Sequence, residues 1–202
     1  MKKLIILIFL LICISSITST STRDSKVIRK EALVNYERIL YQKEVDRIKK
    51  MHAKELNNFL DHLAKRESSN NPNVINTYGY IGKYQFGRAA LLDVGYTDVT
   101  ALKFKRNPNI FPEAEQDLAV IKLMRLNKER IGNLLDRYQG KTINGIEITE
   151  AGLLAAAHLA GAGGVKRFLK SGGKYNPSDG YNTKLTDYLK DFQHHKINIS
   201  YV

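Results

Sequence analysis

Apolar positions recur at helical spacing through the first third of the chain. Val27, Ile28, Ala32, Leu33, Tyr36, Ile39 and Leu40 are followed by Val45, Ile48, Met51, Leu56, Phe59, Leu60 and Leu63, with Lys, Arg and Glu between them. This pattern predicts amphipathic helix from Val27 to about Arg66. No Pro or Gly interrupts it, so the border between an N-terminal arm and a domain is placed near residue 50. Ser68 to Asn76, with Pro72, breaks the helix. Tyr78 to Phe86 carries two glycines among aromatic and β-branched residues and reads as a short hairpin or extended loop.

Short helices are expected at Ala89–Val94, stopped by Gly95, and at Ile131–Tyr138, ended by Gly140. Between them Pro112 opens a longer one, with Glu113 and Glu115 suited to its positive N-terminal end. Asn144-Gly145, flanked by β-branched residues, predicts a small hairpin over residues 142–149. Thr149 caps a helix from Glu150 to about Leu159 that is apolar on nearly every side and therefore buried. The glycines at 161, 163 and 164 bend or interrupt it, and Val165–Lys170 and Leu185–Phe192 complete the helices. The expected fold class is mainly α, with small β-hairpins around a buried central helix.

The extreme N-terminus differs in kind. Lys2 and Lys3 precede an unbroken apolar run from Leu4 to Ile14, and a Ser/Thr-rich stretch reaches Thr22. Residues 1–22 thus read as an export signal, too short in its apolar part to span a bilayer as a mature helix. Uncleaved anchoring and lipidation at Cys13 are the alternatives. The expected organisation is a signal over 1–22, a helical arm over 23–50 and a domain over 51–202. The destination is the periplasm, the cell envelope or the medium.

Composition narrows the partners. The 202 residues carry 32 Lys and Arg against 20 Asp and Glu, a net charge of +12. Loss of the signal leaves +10. Such a chain suits an anionic partner, and with export that is the cell envelope rather than nucleic acid, for which no recognition motif appears. Cys13 is the single cysteine, so neither an internal disulfide nor a Cys-based metal site can form, and no cofactor or metal is expected.

Three groups could carry chemistry. Glu67 continues the stripe of Leu56, Phe59, Leu60 and Leu63 at the point where the helix breaks, which aims a carboxylate at the interior or a cleft. Burial there would suit a general acid; an ordinary surface Glu is the other reading. Gly82, Tyr84 and Gln85 combine close backbone approach, an aromatic face and an amide, groups that suit a sugar, or else a turn with Tyr84 in the core. His158 lies in an apolar helix before the glycine run, where a satisfied core histidine is the plain alternative.

Taken in order, Glu67-Ser68, Gly82-Lys83-Tyr84-Gln85 and Ala157-His158-Leu159-Ala160-Gly161 resemble the motifs of the soluble lytic transglycosylase and goose-type lysozyme superfamily, over roughly residues 52–170. The resemblance implies a lysozyme-like domain of a peptidoglycan lytic transglycosylase, with Glu67 as catalytic acid and base. Ser68, Tyr84, Gln85 and His158 would line sugar subsites. The family's Tyr-Asn pair is His158-Leu159 here; His158 could take over the Tyr's bond to Glu67, whereas Leu159 cannot replace Asn. No second carboxylate stands at a motif position; Asp93 and Asp98 have plain surface or turn readings. One carboxylate suits attack by the muramic 6-hydroxyl, giving a 1,6-anhydro product. The alternatives are a hydrolytic muramidase and an inactive module that binds peptidoglycan or docks on a secretion or conjugation machine.

Overall fold

The computed structural model describes residues 22–199. The signal reading and Cys13 fall outside these residues. The described residues form two compact units that divide between Lys50 and Met51.

The described residues form seven α-helices, one 3-10 turn and one two-stranded sheet. Helix α1 runs from Thr22 to Ser68, and α2 from Arg88 to Asp93. Next come α3 (Ala101–Arg106), a 3-10 turn (Pro108–Ile110) and α4 (Glu113–Ile131). Helix α5 (Leu134–Tyr138) leads into strands β1 (Thr142–Ile143) and β2 (Ile146–Glu147). Helix α6 (Glu150–Lys170) and helix α7 (Leu185–Phe192) follow. The architecture is mainly helical, with a small antiparallel sheet.

In the first unit, α1 does not show one apolar stripe. Val27, Ile28, Leu33, Val34, Ile39, Leu40 and Tyr41 are all 45–71% exposed. Their positions are spread around the helix, so no single face gathers them, and the expected amphipathic pattern fails there. In the second unit the stripe is real: Leu56, Phe59, Leu60, Leu63 and Ala64 are buried.

The core of the second unit is built around α6. Thr149 caps it by accepting a hydrogen bond from the Gly152 backbone at 3.1 Å, and every residue from Ala151 to Ala157 is buried. Small side chains let neighbours approach closely, and α6 packs against both α4 and α7. At Gly161 the backbone leaves helical geometry (φ 67°, ψ 164°), a conformation costly for any residue with a Cβ. Helix resumes beyond it, so α6 consists of two helical pieces that meet at this kink, the second carrying Val165–Lys170, as the glycine run predicts.

The Asn144-Gly145 turn has positive φ at both positions, as a tight hairpin requires, and pairs Thr142 with Glu147 and Ile143 with Ile146. The Tyr78–Phe86 segment does not form a regular ladder. It is held by isolated bridges, Ile75 to Ile81 and Ile81 to Phe86. Ile131 closes α4 instead of opening the next helix, because Gly132 reverses the backbone at φ 62°. Helix α3, capped by Thr100, has no counterpart in the sequence reading. Its six residues hold one buried side chain, Phe104, too few for a visible period.

Candidate active site

Glu67 sits in the last turn of α1, half-buried. The Tyr188 hydroxyl of α7 donates a short hydrogen bond to its Oε1. Tyr188 is itself buried, and that burial, reinforced by the neighbouring carboxylate, pushes its phenol far above the ordinary range. The hydroxyl therefore keeps its proton and acts as a permanent donor. The Arg66 guanidinium lies 4.3 Å from the Tyr188 ring centre and forms an ion pair with Asp191. Tyr188 is thus held on its ring face and at its hydroxyl.

Ser68 turns the other way. Its hydroxyl donates to the Lys83 carbonyl at 2.7 Å and accepts from the Asn71 backbone at 2.9 Å. These bonds fasten the helix end to the glycine-rich segment. On the next residue, the Tyr84 carbonyl accepts from His158 Nε2 at 2.7 Å. A carbonyl can only accept, so this bond places a proton on Nε2. Adjacent carbonyls of one segment thereby join the end of α1 to the middle of α6.

Tyr84 does not present its ring to a ligand. It is 1% exposed, and its hydroxyl donates to Asp117 at 2.7 Å. Burial and the carboxylates beside it raise its phenol well above the usual value. The expected sugar-stacking role for Tyr84 is corrected: it is a core side chain. Likewise the Ser68 hydroxyl is committed to the loop, and His158 bonds Tyr84 rather than Glu67.

The segment is braced from behind by Gln116, which is 1% exposed. It accepts from the Lys83 backbone at 2.6 Å and donates to the carbonyls of Pro72 (2.9 Å) and Phe111 (2.8 Å). A Cβ on Gly82 would collide with this amide, and φ at Gly82 is +75°, so only glycine fits. Lys83 Nζ reaches Glu113 at 2.9 Å and Asp117 at 3.0 Å. Burial alone would lower its pKa, but the two carboxylates outweigh that and raise it. Gln85 follows with φ +51°, a left-handed conformation uncommon outside glycine, and its side chain donates to the Gly82 carbonyl at 2.8 Å.

Gln85 and His158 line a cleft of about 420 Å3. Tyr78, Tyr80, Leu123, Ala157 and Ala162 supply apolar surface in it, and Asn127, Asp93 and Arg130 supply polar groups. Asn127 is 4% exposed, and its side-chain amide reaches the Ala157 carbonyl only at a long 3.5 Å. Its amide therefore keeps capacity for a ligand. Leu123, Asn127 and Arg130 follow one another at helical spacing along α4, grading the cleft from apolar to charged. Arg130 pairs with Asp93 through two bonds of 2.5 and 3.0 Å and holds the carboxyl below its usual range. Asp98, by contrast, is a solvated turn residue near Lys103.

Glu67, Ser68 and Tyr84 are not among the residues that line this cleft. The structure brings Gln85 and His158 together there and sets Glu67 beside α7. Sequence reasoning missed Tyr188, Asn127 and Gln116. The signal for Tyr188 was present, as it lies on the stripe Leu185, Tyr188, Leu189 and Phe192 with a hydroxyl that burial obliges to find a partner.

Among the described residues, no group of three or more His, Cys, Asp or Glu side chains could hold a metal ion. Nor is any described helix long and apolar enough to cross a membrane. Comparison of the chain with protein-family models, curated proteins and solved structures finds no match.

Proposed function

We propose that this chain is an exported enzyme that cleaves the β-1,4 glycosidic bond of peptidoglycan by lytic transglycosylation, with Glu67 as acid and base. The observation that carries the reading is the Tyr188–Glu67 hydrogen bond. It fixes one carboxylate oxygen at a helix end and leaves Oε2 to exchange a proton. Glu67 protonates the glycosidic oxygen, and the acetamido group of the substrate stabilises C1. The carboxylate then removes the proton from the muramic 6-hydroxyl as that oxygen attacks C1. One proton goes to the leaving sugar, one returns to Glu67, and no water is consumed.

The cleft supports a glycan ligand. Sugar rings stack on exposed aromatic faces such as Tyr78 and Tyr80, while Asn127, Gln85 and His158 can serve hydroxyl and acetamido groups. A strand held there passes the glycine-rich segment that Ser68 joins to the Glu67 helix. The basic charge of the chain matches the carboxylates and phosphates of an envelope. No cofactor enters this scheme.

Two further readings remain. Hydrolysis by an activated water would make the chain a muramidase. The position of Glu67 outside the cleft lining favours a second class, an inactive module that binds peptidoglycan or docks on a secretion or conjugation machine. Analysis of peptidoglycan digested with the mature protein separates all three. Anhydro-ended products support the proposal, reducing ends indicate hydrolysis, and binding without products indicates a module.

A further inference from the structure

One side of α1 carries Phe59, His62 and Arg66 at intervals of three and four residues. Helix α7 and the segment after it carry Tyr188, Phe192 and His195 at intervals of four and three. The two sets interleave as a ladder of planar groups. Arg66 covers the Tyr188 ring, and His62 stacks on Phe192 at 4.3 Å and 22°. Phe59 meets Phe192 at 5.1 Å and His195 edge-on at 5.5 Å. Tyr188, Phe192 and His195 lie nearly parallel in turn, with interplanar angles of 12° and 27°. One end of the ladder is the Tyr188–Glu67 bond; the other is a hydrogen bond of 2.9 Å between His62 Nδ1 and His195 Nε2.

We propose that the His62–His195 pair is a proton-sensitive clasp that positions Tyr188 against Glu67 by closing the far end of this ladder. The functional part of the inference rests on the assignment of Glu67 above. An imidazole pair with one N–H between its facing nitrogens is satisfied. A first proton can still be shared across the contact. A second leaves two donors facing each other with no acceptor, and two cations in contact. Acid therefore opens the clasp.

The titratable groups facing His195 set where that happens. Its burial and the imidazoles of His62 and His194 resist its charged form, while Glu55 on α1 favours it. Resistance prevails, so protonation of His195 works against the docked state. Arg66 and Asp191, one turn along, are already paired with each other and do not compensate a second charge. Because Phe192 stacks between His195 and Tyr188, movement at the clasp is passed to the ring that holds Glu67. His62 and His195 act as positioning residues; neither touches the reacting atoms.

The test uses the full mature chain, with hydrogen exchange of the Leu185–Phe192 amides measured at about pH 7.5 and about pH 5, on either side of the ordinary histidine range. After correction for intrinsic exchange, wild type is expected to lose about tenfold protection of α7 at the lower pH, as a group that titrates with docking requires. His195→Phe keeps the stacking without the proton, and His62→Gln leaves a single imidazole. Both are expected to lose less than about twofold, as clasps that cannot gain the second charge. Equal protection of wild type at both pH values overturns the proposal, as does acid loosening of both variants to the wild-type extent. The acid limb of the cleavage profile should also move to lower pH in His195→Phe, and a fixed limb argues against positioning of Glu67. If wild type cleaves nothing at any pH, the assignment of Glu67 fails while the exchange result still decides the clasp.

Discussion

Tyr188 donates its hydroxyl proton to Glu67 across 121 residues of sequence. The bond joins the end of a helix that begins the domain to a short helix near its end. It explains how a carboxylate at a helix break is held in one orientation. Substitution of Tyr188 by Phe removes the donor and keeps the ring that Arg66 covers. The expected result is a fall of about ten- to a hundredfold in kcat with KM nearly unchanged, as for loss of a group that positions a general acid. Stability should change by about 1 kcal/mol, the ordinary net worth of one hydrogen bond. Steady-state kinetics on solubilised glycan strands, with denaturant unfolding alongside, measures both.

Asn127 gives a prediction that separates binding from folding. It is buried with a weak intramolecular partner, so Asn127→Leu fills similar space and should leave stability within about 1 kcal/mol. Affinity for glycan strands should fall about tenfold, because the cleft loses its amide between Leu123 and Arg130. Co-sedimentation with purified strands reads the affinity. An unchanged value would show that the cleft binds something other than an amide-bearing sugar.

Gln116 should behave in the opposite way. Its side chain serves the Lys83 amide beside Gly82 and the carbonyls of Pro72 and Phe111, and so ties that segment to two other stretches of the chain. Gln116→Leu strands these groups in the interior at about 1–3 kcal/mol each. The expected loss is about 3 kcal/mol or more in denaturant unfolding. A smaller effect would show that the segment is held by its bridges at Ile81 instead.

The pH dependence of stability follows from His195. Its pKa lies below the ordinary histidine value in the folded chain, chiefly through burial. A group depressed on folding contributes fully above its unfolded pKa of about 6.5, and the contribution is lost as pH falls below that value. Unfolding midpoints should therefore be level from about pH 8 to about pH 7 and decline toward pH 5, with His195→Phe reducing the decline. A midpoint that rises on acidification contradicts this sign.

Much of the fold could be read from periodicity, because the relevant residues repeat often enough to define a face. The α6 helix shows this: its cap at Thr149, its all-round apolar sequence and its break at Gly161 each have a local cause. Helix α3 could not be read, since Phe104 alone anchors it. The arm misled for the opposite reason, having apolar residues at many positions but on no common face. For the candidate site, Glu67 was visible from its place on the Leu56–Leu63 stripe. Tyr84 was not placed correctly, because an aromatic residue between glycines suits an exposed platform and a core equally well. The buried hydroxyl there is satisfied by Asp117, which is 33 residues away. Tyr188 was legible as a buried member of the Leu185–Phe192 stripe, but its partner Glu67, and the place of Asn127 in the cleft, come from tertiary packing that no local pattern encodes.

The most direct test of the central claim is mass spectrometry of peptidoglycan fragments released by the mature chain, with Glu67→Gln as control. The claim predicts muropeptides ending in 1,6-anhydro-muramic acid, each lighter by one water than a hydrolytic product, and none from the variant. Reducing-end muramic acid as the main product would contradict the transglycosylase mechanism. Equal release by Glu67→Gln would contradict the assignment of Glu67 itself.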